Sequence, residues 1–159
     1  PDIDLMNDSD QQDVRNYANT LAAILIENST PGTENELTLM NDVVVNGNRE
    51  KIAELEAIAV AYEGYITDTL KVPVPSFLVK EHLDFLNTLT AIHADIAAMS
   101  IALDDPVVAL LRLKRYQEDV RGLGLAMQNM YASLEPYAPL IKKDDPAALF
   151  VVFSPDFQS

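Results

Sequence analysis

Residues 72–103 read VPVPSFLVKEHLDFLNTLTAIHADIAAMSIAL, and the rest of the chain is organised around them. Pro73 and Pro75 each bar the preceding residue from helical backbone, so no helix runs through them. Ser76 then caps or opens a helix whose apolar residues recur at three- and four-residue steps: Phe77 or Leu78, Leu83, Leu86, Leu89 or Thr90, Ile96 and Met99. Asp104-Asp105-Pro106 follows, a carboxylate cap with proline in the first turn, which ends this helix and starts the next. A long helix with one apolar face needs other helices to cover that face.

Downstream, the pattern Leu110, Leu113, Tyr116 or Gln117, Val120, Leu123, Met127 and Met130 predicts a helix to about Leu134, with Gly122 and Gly124 marking close packing or a slight kink. Pro136 and Pro139 break it, and Asp144-Asp145-Pro146 repeats the start signal before the apolar run at residues 147–153. That run is expected to fold back as one or two helical turns, or to serve as a hook for a partner through Leu149, Phe150, Val152 and Phe153. Upstream, Ser9 and Gln12 form a capping box for a helix to about Asn28, with Val14, Tyr17, Leu21, Ile24 and Leu25 on one stripe. Thr33 and Glu36 open a short helix through Leu37, Met40 and Val44. Asn46-Gly47-Asn48 turns the chain into a helix bearing Ile52, Leu55, Ile58, Ala59, Tyr62, Ile66 and Leu70. The expected fold is all-α: an antiparallel four- to five-helix bundle with short links over residues 1–135, an acidic solvated leader at residues 1–8, and a short apolar C-terminal extension at residues 136–159.

The chain carries 11 basic against 25 acidic residues, a net charge of −14. Such a field repels phosphate backbones, so no nucleic acid is expected as partner. The absence of cysteine excludes disulfides, thiolate metal sites and cysteine nucleophiles. Residues 147–153 are the longest apolar run, well short of the roughly 20 residues that span a bilayer. The chain begins at Pro1 rather than at Met, so removal of an upstream segment is expected, one with room for a signal or anchor.

Two histidines carry the only metal or ligand reading. His82 and His93 each sit in an H-x-D triplet, with Asp84 and Asp95. Eleven residues bring the two imidazoles to one side of a helix but separate them by about 16 Å along its axis, too far for one metal. Neither has a carboxylate at the three- or four-residue spacing of di-iron bundles. A histidine at the edge of the core, hydrogen-bonded across to another helix, is the plainer reading, and Asn87 is the candidate polar core residue that fixes register. Glu81, His82 and Asp84 are the one cluster to test for catalysis. No nucleophile elbow, phosphate-binding glycine loop or cofactor motif is present, so no cofactor is expected and the chain reads as a non-enzyme.

The residues Val72-Pro73-Val74-Pro75-Ser76-Phe77, His82-Leu83-Asp84-Phe85-Leu86-Asn87, Asp105-Pro106 and Tyr116-Gln117-Glu118 resemble a group of uncharacterised, often membrane-anchored helical proteins of small-genome bacteria. The likeness spans about residues 33–134. It implies an extracytoplasmic domain tethered through a segment ahead of Pro1, and it carries no catalytic residues. The expectation from all of this is a helical interaction or scaffold domain with a protein partner. The alternatives are a small-ligand or metal site using His82 or His93, and a cytoplasmic location.

Overall fold

Asp10, not Ser9, caps the first helix in the computed structural model, which describes residues 3–29, 36–100 and 105–154. Its carboxylate accepts the backbone N–H groups of Gln12 at 2.7 Å and Asp13 at 2.9 Å, while Asp13 accepts the N–H of Asp10 at 3.0 Å. A carboxylate both caps and sits favourably at the positive end of the helix, so it outcompetes the neighbouring hydroxyl. Helix α1 then runs Gln11–Glu27. The expected capping pair of Thr33 with Glu36 involves a residue outside those described, as do the expected stop at Pro31-Gly32 and the first carboxylate of Asp104-Asp105.

Helix α2 is Glu36–Val44 and α3 is Ile52–Thr69, joined through a turn in which Gly47 has φ +64°, a conformation that a side chain resists. Helix α4 is Val79–Ser100 and α5 is Pro106–Leu134, the latter capped by Asp105 accepting the Val108 N–H at 3.1 Å. The protein is therefore mostly helical, its helices packed against one another. Helix α4 packs most extensively, against α5 on one side and α3 on the other, and α2 touches α3, α4 and α5. Leu21, Met40, Leu55, Ile92, Met130 and Phe150 all contribute to one core and are essentially solvent-free.

The leader is not solvated throughout. Leu5–Met6 (β1) pairs in parallel with Val74–Pro75 (β2), and the Val74 N–H donates to the Asp4 carbonyl at 2.8 Å. The proline pair that forbids helix leaves backbone in extended form, with the Val74 N–H free to pair. The apolar run at residues 147–153 folds back. It lies in a 3₁₀ helix, Pro146–Phe153, against α1 and α5, with Ala147 and Phe150 buried, Leu149 and Phe153 partly buried, and Val152 exposed. Arg15 forks onto Asp145 with two 2.9 Å hydrogen bonds, and the Ala147 N–H donates to Asn19 Oδ1 at 3.0 Å. With its anchor side chain docked in its own core, Phe150 is not available as a hook.

The α4 stripe buries the expected Leu78, Leu86, Leu89, Ile96 and Met99 and is broader than expected. Leu78, His82, Phe85, Leu89, Ile92, Ile96 and Met99 are buried, and Leu83 is only partly so. Asn87 is exposed rather than a polar core residue, because at about 100° per residue it falls opposite the face shared by Phe85, Leu89 and Ile96. On α5, Gly122 does mark a close approach: a Cβ there would stand 3.2 Å from Thr88 Cγ2 of α4. Leu110 and Val120, expected inside, are exposed.

Candidate functional site

The two H-x-D triplets do not assemble a site. Residues two apart on a helix point about 200° away from each other, so when one turns inward the other turns out. His82 is 0% exposed, whereas Asp84 sits at the surface and pairs with Lys80 at 2.6 Å. His93 is half-buried while Asp95 is buried. Among the described residues, no three His, Asp or Glu side chains are grouped to hold a metal ion.

His82 instead belongs to a closed polar contact. Tyr17 Oη of α1 lies 3.0 Å from His82 Nδ1 and 3.8 Å from Met130 Sδ of α5, so three helices meet at one hydroxyl. His82 Nε2 is buried without a partner. Burial holds the imidazole pKa below its ordinary value and raises that of the Tyr17 hydroxyl, the latter with help from Glu81. A neutral ring carrying its proton on Nδ1 donates to Tyr17 Oη and leaves Nε2 as a bare acceptor, the less costly atom to strand.

Asp95 lies in a second buried cluster, between α4 and α5. Its Oδ1 accepts from Arg112 Nη1 at 3.1 Å, while its Oδ2 is buried without a hydrogen-bond partner; Asp119, nearby, lies 3.5 Å from Arg115 Nε. Burial raises the Asp95 pKa, Arg112 opposes the rise and the neighbouring Asp119 reinforces it. Along the same junction, Asp84, Asn87, Thr88, Asp119, Gly122 and Asn129 line a shallow groove. The groove thus collects Asp84 and Asn87 from the expected residues, without either histidine.

A third cluster was not legible as a site. Glu36, the first residue of α2, accepts the hydroxyls of Tyr116 from α5 and Tyr62 from α3, the latter at 3.3 Å. Tyr65 packs edge-on against Tyr62, with ring centroids 5.4 Å apart. Burial and then the Glu36 charge raise the pKa values of both hydroxyls. The signal available in the sequence was three tyrosines at the rims of apolar stripes, each needing a polar partner once buried. The cluster ties α2 to α3 and α5.

Several large aliphatic side chains are uncovered on α5. Val107 is 68% exposed, Leu111 65% and Leu125 60%, with Leu110 beside them. Val107, Leu111, Lys114, Glu118, Arg121 and Leu125 recur at steps of 4, 3, 4, 3 and 4 residues, a second stripe on the helix facing away from the buried Ala109, Leu113 and Tyr116. That spacing was readable in the sequence, but the single inward stripe assigned to this helix obscured it. Among the described residues, Lys114, Glu118 and Arg121 have no ion-pair partner, in contrast to Arg112 and Arg115.

No family model, curated protein or solved structure matches the chain. Among the described residues no helix is long and apolar enough to cross a membrane.

Proposed function

We propose that the chain is a non-enzymatic helical interaction domain, an antiparallel four- to five-helix bundle whose binding surface is the outward face of α5. In the full-length protein this domain is tethered on the outside of the cytoplasmic membrane, as the resemblance implies. The observation that carries the reading is the row of exposed large aliphatic residues Val107, Leu110, Leu111 and Leu125 on a helix otherwise well packed. Exposed aliphatic residues grouped at one end of a helix, as Val107, Leu110 and Leu111 are, and edged by charges mark protein interaction sites. The surface is basic within an acidic protein, since residues 107–125 hold Arg112, Lys114, Arg115 and Arg121 against Glu118 and Asp119. It suits a helical protein segment whose own apolar stripe carries charges of both signs that can match Lys114, Glu118 and Arg121. The C-terminal residues Leu149, Phe150, Val152 and Phe153 leave the binding role to α5; Leu149, Phe150 and Phe153 act in docking the extension, and Val152 stays exposed. In the test, Leu110→Asp/Leu111→Asp protein is compared with wild type in partner capture from cells that make it. Loss of capture with unchanged helicity supports the reading, and equal capture overturns it.

A small-ligand reading rests on one observation, which moves it away from His82 and His93. A cavity of about 150 Å³ lies beneath the C-terminal extension, lined by Tyr131, Leu134, Ile141, Phe150 and the two surface lysines Lys142 and Lys143. A mostly apolar pocket of that size, open on one side past Lys142 and Lys143, admits a benzene-sized body.

A further inference from the structure

We infer that the occupant of the outward α5 face is a second copy of this chain, paired antiparallel through α5 about a two-fold axis at the level of Tyr116. This rests on the interaction-domain reading above and names its partner. With the axis there, each residue stands opposite the one equally far beyond Tyr116 on the other copy. Val107 then faces Leu125, Leu111 faces Arg121, and Lys114 faces Glu118, each contact occurring twice by symmetry. Apolar ends meet apolar ends. The aliphatic stem of Arg121 covers Leu111 while its guanidinium reaches water. Opposite charges meet at the centre.

The direction of pairing follows from the same residues. A parallel pair would set Lys114 against Lys114, Glu118 against Glu118 and Arg121 against Arg121, three like-charge contacts in one seam. The 4-3-4-3-4 spacing keeps the stripe along one side of the helix for about 27 Å at 1.5 Å per residue, the geometry of a two-helix seam. The charge distribution agrees. Two copies of a chain with net charge −14 repel each other through most approaches, and residues 107–125 are a stretch where basic residues outnumber acidic ones. Lys114 and Glu118 are four apart on one helix and exposed, yet among the described residues they form no ion pair, which leaves both for the partner copy.

The test is sedimentation equilibrium and native mass spectrometry on the purified chain. The wild-type mass is expected to rise with concentration from 17.6 kDa toward twice that value. Leu111→Lys, at a surface position, sets a like charge opposite Arg121 twice and is expected to remain monomeric with unchanged helicity. Lys114→Glu and Glu118→Lys each place like charges opposite one another twice and are each expected to weaken association at least tenfold. Mixed together, the two variants restore both central contacts and form a heterodimer, and the double variant Lys114→Glu/Glu118→Lys regains wild-type association. A wild-type chain that stays at 17.6 kDa at every concentration overturns the proposal, as does a mixture of the two variants that fails to associate. A monomeric chain that still crosslinks to another protein from position 111 retains the interaction-domain reading while refuting self-pairing. A monomeric chain with no such crosslink refutes both.

Discussion

Tyr17 Oη and His82 Nδ1 lie 3.0 Å apart at a point where neither side chain reaches solvent, and Met130 Sδ closes the third side. Removing the hydroxyl strands Nδ1 as well as Nε2. Tyr17→Phe is therefore expected to cost about 1–3 kcal/mol, measured by urea unfolding at neutral pH.

The same contact has a pH signature. Burial lowers the His82 pKa from its ordinary 6.5, so the folded state prefers the neutral ring and binds fewer protons than the unfolded chain. That contribution is complete above 6.5 and is lost as the pH falls through the lower folded-state value. Stability measured from pH 7 downward should decline in wild type, and the decline should shrink in His82→Gln.

Asp95 has the opposite sign. Its folded-state pKa is raised above 3.8, so ionisation in place opposes folding, and stability falls as the pH rises from 3.8 through the folded-state value. Asn at position 95 keeps an acceptor for Arg112 without burying a charge. Asp95→Asn is expected to raise the melting temperature at pH 7 relative to wild type, and the difference should close below pH 3.8.

The C-terminal extension acts as core. Phe150 is solvent-free, and Phe150→Ala is expected to cost about 3–5 kcal/mol in denaturant unfolding. Val151 is exposed, and Val151→Ala should stay within about 0.5 kcal/mol of wild type.

The extent to which the sequence declared this fold follows from which signals are local. Prolines and carboxylate caps act on their own neighbours, so the breaks at Val72–Pro75 and the start of α5 at Asp105 were legible. The facing of α4 was legible at Leu78, Leu86, Leu89, Ile96 and Met99, but the burial of Phe85 ahead of Leu83 was not, because only the neighbouring helices choose between adjacent apolar arcs. Buried polar contacts between distant segments, such as Glu36 with Tyr116, left no spacing to read. The parallel pairing of Leu5–Met6 with Val74–Pro75 escaped for the same reason, since two-residue strands have no periodicity.

The most direct measurement of the central claim is site-specific photo-crosslinking in cells that make the protein. A photoreactive residue replaces Leu111 on the α5 face or, as control, the similarly exposed Val45 beyond the end of α2. The account predicts a discrete protein adduct from position 111 and little or none from position 45. Equal adduct yields from both positions, or none from position 111, would contradict it.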